Sequence, residues 1–182
     1  MGVRRQAREA ALQALFMCDF VGDWSVDAVN FCFDHFAIPK GIRPFATQLA
    51  EGTIANIHKI DSKLTCASEH WSLTRMGRVD RSILRVASYE IMFLEEIPVN
   101  VAINEAIEIA KRFGSEESPQ FINGVLDRVA SLERPKADRP VKLKVEVIRE
   151  ESSAEDVLSE DGLSEAALSE SLLAASIVTA DE

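Results

Sequence analysis

The stretch VRRQAREAALQALF, residues 3–16, sets the fold class. Ala7, Ala11, Leu12, Leu15 and Phe16 recur at the spacing of one helix face. The pattern predicts an amphipathic helix over about 4–21, ended by Gly22-Asp23. Its beginning breaks a local rule. Arg4, Arg5 and Arg8 lie in or near the first turn, where the helix dipole favours anions. Something outside this helix must compensate those cations.

The same period runs outward along the chain. A shorter helix is predicted over 25–37, with Phe31, Phe33 and Phe36 among its apolar residues, and IPKG at 38–41 breaks it. Pro44 fits the first turn of a long helix over 43–66, with Leu49, Ile54, Ile57 and Leu64 inward. Another helix is predicted over 75–94, stopped before Pro98. In VNVAINEAIEIAKRFG, residues 99–114, Ile103, Ala106, Ile107, Ala110 and Phe113 share a face, and Gly114 suits a C-cap. SPQFINGVLDRVASL, residues 118–132, opens with Ser118 as N-cap and Pro119 at the first helical position. Its stripe is Ile122, Val125, Leu126, Val129 and Leu132. The reading through residue 134 is an all-α bundle with short connections.

Composition agrees. The chain has 182 residues, 47% apolar and 27% charged, enough for a real core. The net charge of −10 is mostly a property of its end. From Pro135 onward there are 5 basic and 12 acidic residues, whereas 1–134 carry 15 and 18. A nearly neutral body can still hold a local basic patch for nucleic acid. Residues 135–182 read as an acidic, disordered tail, with LSE at 158–160, 163–165 and 168–170 and a transient helix around 163–178. VKLKVEVI at 141–148 alternates like a strand, without a partner sheet.

Cys18, Cys32 and Cys66 form no C-x-x-C pair, which points to reduced thiols in a cytoplasmic protein. No window reaches the roughly 18 uninterrupted apolar residues of a membrane span. Glu9, Gln13 and Asp19 break the apolar run that a signal peptide needs.

Nothing in the sequence forms a catalytic centre. G-x-S-x-G, H-E-x-x-H, P-loop and G-x-G-x-x-G patterns are all missing, and no cofactor is expected. Cys32-Phe-Asp-His35 is half of a zinc spacing without a second half, so no metal is expected either. Glu90 falls in the middle of the apolar stripe formed by Val79, Ile83, Ala87 and Leu94. A buried carboxylate needs donors or a cation. The backbone N–H groups opening the next helix, near Val99–Val101, are the expected partner.

The last helix carries a second anomaly. Asn123-Gly124 elsewhere marks a hairpin, but here the flanks keep helical period, so Gly124 costs roughly 1 kcal/mol inside a helix. Phe121, Gly124 and Arg128 share one strip beside the core stripe. A ring, a bare position and a cation suit an unpaired base and its phosphate. The plain alternative is that Gly124 lets another helix pack closely.

Four stretches taken together resemble one family: RRQAREAALQALF, HWSLTRMGRVDRSILRVASYEI at 70–91, IPVNVAINEAIEIAKRFG at 97–114, and FINGVLDRVA at 121–130. They look like NusB, the bacterial transcription antitermination factors, over about residues 3–134 in the right order. The resemblance implies two small helical subdomains packed together and a role without catalysis. It implies binding of the single-stranded boxA element of nascent RNA jointly with the ribosomal protein NusE, within an RNA polymerase antitermination complex. Ribosomal RNA transcription and maturation are the implied output.

Residue by residue, the family's arginine-rich start falls on Arg4, Arg5, Gln6 and Arg8, and its second RNA segment on Gln120, Phe121, Asn123, Gly124 and Arg128. Gln120 stands where the family often has a basic residue. Glu117 borders that segment and would repel phosphate. For the protein partner the resemblance points to Asp80 and Tyr89. Other readings remain open: a recognition module associated with an RNA methyltransferase, a helical adaptor without RNA, and a homodimer that covers the RNA face.

Overall fold

A computed structural model describes residues 2–68 and 72–133. Among them the chain is all-helical. In order these are α1 Val3–Val21, α2 Val26–His35, α3 Arg43–Ala55, α4 Ile57–Ala67, α5 Arg78–Phe93, α6 Val99–Phe113 and α7 Ser118–Glu133, with a 3-10 turn at Leu73–Arg75. The expected acidic tail and the 141–148 alternation lie outside the described residues.

Each boundary has a local cause. Gly22 ends α1 in the left-handed conformation, φ 80°, which only glycine adopts at little cost. Ser25 caps α2 by accepting from the Ala28 N–H at 3.1 Å. The single long helix expected over 43–66 is instead two helices broken at Asn56. There the amide side chain donates to the Gly52 carbonyl at 2.9 Å, and the backbone N–H turns to Thr53 rather than continuing the ladder. The helix expected from residue 75 begins at Arg78, after the 3-10 turn. Gly114 does follow α6, but in an extended conformation with φ −91°. A Cβ there would lie 2.6 Å from Ser118 Cβ, so close approach to α7 is what demands glycine. Ser118 is the first residue of α7, and its hydroxyl accepts from the Ser115 N–H at 2.9 Å.

Helix α5 is the hub. It packs on α1, α3, α4, α6 and α7, and every residue from Ser82 to Ile91 is buried. Helices α1, α2 and α3 pack on one another, and α6 and α7 pair closely, so two helical groups meet on α5. Phe33, Leu15, Leu49, Leu84, Ile91 and Leu126 are among the largest side chains in the continuous core. Burying such a residue contributes roughly 1.5–3 kcal/mol. Three apolar residues of the expected stripes are exposed: Phe31 on α2, Phe36 just after it, and Leu132 near the end of α7.

Candidate nucleic-acid interface

The compensation that α1 requires comes from inside the molecule. No side chain caps its N-terminus, and no acid lies in its first turn. Instead α5 and α6 bring carboxylates to the arginines. Arg8 is only 3% exposed, and its guanidinium holds Glu90 through hydrogen bonds of 2.7, 2.9 and 3.1 Å. The expectation that Glu90 would take backbone N–H groups near Val99–Val101 is therefore corrected. A fork of side-chain donors reaches it first, and a guanidinium matches a carboxylate better than two diverging amides. Burial pushes the Glu90 carboxyl up, and the Arg8 hydrogen bonds pull it back.

One helix turn earlier, Arg5 makes a bidentate pair with Glu105 of α6, both contacts at 2.7 Å. The Arg5 hydrogen bonds hold the Glu105 carboxyl below the usual carboxylate range. Glu105 also lies 3.8 Å from Arg8, so four charges from three helices form one chain. Glu9, the next turn of α1, pairs with Arg112 of α6 at 2.6 Å. Arg4 and Arg8 both sit over the Phe45 ring of α3, at 5.8 and 5.5 Å from its centre.

The residues singled out from the sequence thus separate by environment. Arg4 and Gln6 are exposed, Arg5 is partly exposed, and Arg8 is enclosed. The Arg8 guanidinium is engaged by Glu90 beneath the exposed Arg4 and Gln6. On α7, Gln120, Asn123, Gly124 and Arg128 are exposed, and Phe121 rests half-buried against the core. Glu117 is exposed just before them. A Cβ on Gly124 would meet nothing within 4 Å. Helix–helix packing is therefore not what keeps glycine there.

Helix α6 lies against both segments. It is joined to α1 by the Arg5–Glu105 and Glu9–Arg112 pairs, and it packs along α7. Arg112 lies in the last turn of α6 with its guanidinium 4.9 Å from the centre of the Phe113 ring, one short loop before α7.

The two residues singled out for a protein partner behave differently. Asp80 is partly exposed in the first turn of α5. Tyr89 is buried, stacks on Phe93 at 5.4 Å, and fills the space over Gly52, where a Cβ would fall 2.2 Å from its ring. Tyr89 thus serves α3–α5 packing.

Sequence reasoning passed over a second charged seam. Arg78, Arg81 and Arg85 on α5 surround Asp19 of α1 at 3.5, 2.5 and 3.5 Å. Arg85 also grips Asp61 of α4 at 2.7 and 2.8 Å and lies 5.0 Å from the Trp24 ring centre. The signal was present: three arginines at i, i+3 and i+7 make one stripe. No group of metal-ligating residues is found among the described residues. No helix among them is long and apolar enough to cross a membrane.

Known proteins agree with this architecture. Residues 5–131 match the NusB family. The chain is 57% identical over 129 residues to the transcription antitermination protein NusB of Desulfitobacterium hafniense, covering 69% of this chain and 86% of that protein. The fold is similar to a solved T. maritima NusB, with a TM-score of 0.66 and 40% identity over 73% of this chain and 94% of that one. It is also similar to a chain in a crystal structure of the antitermination factors NusB and NusE with double-stranded RNA. There the TM-score is 0.64 and the identity 25%, over 71% of this chain and 97% of that chain. Sequence match, helix order and three-dimensional likeness converge: the chain belongs to the NusB family, that of the transcription antitermination proteins.

Proposed function

We propose that this protein binds the boxA element of nascent RNA together with the ribosomal protein NusE, and so keeps RNA polymerase transcribing through terminators in ribosomal RNA operons. It works in the cytoplasm as a binding factor and supports ribosomal RNA maturation. The RNA face comprises Arg4, Arg5 and Gln6 at the start of α1, and Gln120, Phe121, Asn123, Gly124 and Arg128 on α7. Arg8 fixes the first segment from beneath.

The observation that carries this reading is Gly124. It is exposed in mid-helix with open space over it, and Phe121, three positions before, and Arg128, four after, share its helix face. A bare helix surface admits a base edge or sugar where any side chain would stand off. An unstacked base needs a flat apolar surface, and a phosphate needs a cation. The relative crystallised with NusE and RNA supports the same two partners.

The test is a titration of single-stranded boxA-like RNA, with and without NusE, at several salt concentrations. Specific binding that tightens with NusE supports the reading. Phe121→Ala is expected to weaken it with little change in salt slope, and Arg4→Ala to weaken it and lower the slope by about one unit. Binding indifferent to both changes would refute the reading. A duplex carrying the same bases is expected to bind more weakly, because its bases are not free to stack.

A further inference from the structure

We infer that Arg112 is an RNA-contacting residue, and that Glu9 is a place-holding anion which an incoming phosphate displaces from it. This rests on the RNA reading above and extends it to α6, the helix between the two proposed RNA segments.

The geometry is a ladder with two rungs. Arg5 and Glu9 are one turn apart on α1, and Glu105 and Arg112 are two turns apart on α6. The rungs are Arg5–Glu105 at 2.7 Å and Arg112–Glu9 at 2.6 Å. Their charge order reverses, so each helix presents one cation and one anion. The Arg112 side chain is 54% exposed, whereas the Glu9 side chain is 13% exposed. The carboxylate is thus held at the seam beneath a guanidinium that faces solvent.

A carboxylate on a guanidinium occupies the position, charge and hydrogen-bonding geometry that a phosphate oxygen would take. An ion pair this exposed is weak, so exchange is easy. The buried Arg8–Glu90 pair cannot exchange in the same way. Position adds the second argument. Arg112 is tied to α1 through Glu9 and stands one short loop before α7 and Phe121. A strand running from the Arg4 region to the Phe121 strip would cross the α1–α6 seam, and Arg112 is the cation on its far rung. With Glu9 in place, RNA must displace a bound anion, which holds the affinity of the protein alone below what its arginines could give.

The experiment is a double-mutant cycle in the full chain, read by RNA affinity and its salt dependence with a boxA-like oligoribonucleotide. Arg112→Gln is expected to weaken binding at least threefold and lower the salt slope by about one unit. Glu9→Gln is expected to tighten binding at least threefold. The gain from Glu9→Gln should vanish when Arg112 is already Gln, because its basis is the loss of the Glu9 carboxylate from that one guanidinium. A gain that persists in the Arg112→Gln background would mean general charge repulsion and would overturn the inference. So would a salt slope unchanged by Arg112→Gln. Phe121→Ala serves as the control. If it weakens RNA binding while neither seam variant has an effect, the RNA face stands and this inference fails. If wild-type protein binds no RNA, the reading beneath it fails. Thermal unfolding of each variant confirms a folded chain.

Discussion

Arg8 on α1 and Glu90 on α5 lie 2.7 Å apart, with side chains 3% and 1% exposed. This pair ties the start of the first helix to the most enclosed helix of the bundle. Breaking a buried pair leaves the surviving charge without a partner, which costs far more than the intact pair contributes. Glu90→Gln is expected to destabilise by about 3–5 kcal/mol, a fall in Tm of roughly 10–20 °C. Replacing both residues together, Arg8→Met with Glu90→Leu, should recover most of that loss. Calorimetry of the single and double variants checks the coupling. Equal Tm values for wild type and Glu90→Gln would contradict the buried-pair role.

The Arg5–Glu105 pair predicts a pH effect whose sign follows from the depressed Glu105 carboxyl. The folded protein binds that proton more weakly than the unfolded chain does. The pair's contribution is therefore present above the ordinary glutamate range and fades as pH falls through it. Because the pair is partly exposed, the contribution is at most about 1 kcal/mol. Denaturant unfolding between neutral and acid pH should show a shallower acid decline for Glu105→Gln than for wild type. An identical decline would mean that the pair adds nothing.

Two glycines make opposite predictions. Gly124→Ala removes a mid-helix glycine from open space and should stabilise by about 0.5–1 kcal/mol, while weakening RNA binding. Gly52→Ala drives a methyl group into Tyr89 and should destabilise by about 1–3 kcal/mol or more. Denaturant melts and one RNA titration separate them. A stabilised Gly124→Ala with full RNA affinity would contradict a role for that glycine in RNA contact.

The three cysteines differ in reach. Cys66 is exposed, Cys32 is buried, and burial pushes the Cys18 thiol up to about 11. A colourless aromatic disulfide reagent should titrate one thiol promptly in the native protein and all three after denaturation. Prompt reaction of two or more would contradict the packing of α1 on α2.

Much of this structure is legible from residue order alone. The apolar stripes of α1, α6 and α7 name most of the core, because a three-and-four period survives whatever the helix packs against. The break at Asn56 is not legible, since it depends on a side chain capturing the Gly52 carbonyl within an otherwise unbroken period. Glu90 is recognisable as a buried acid, but its partner is 82 positions earlier in the chain, and periodicity carries no information about pairing between helices. For the same reason Arg8 reads in the sequence as another surface cation. In the candidate interface, the open space over Gly124 removes the packing alternative, and exposure belongs to the fold rather than to the sequence. The resemblance to NusB carries the RNA-segment residues further than spacing can.

The central claim is that the opening arginines and the Phe121–Gly124 strip form one RNA surface across α6. Its most direct measurement is an amide NMR footprint of the full chain titrated with single-stranded boxA-like RNA. The expected result is shifts at residues 3–9, at Arg112, and at 118–128, all moving with one affinity. Shifts confined to one of those segments, or centred on the exposed Phe31 and Phe36, would contradict it.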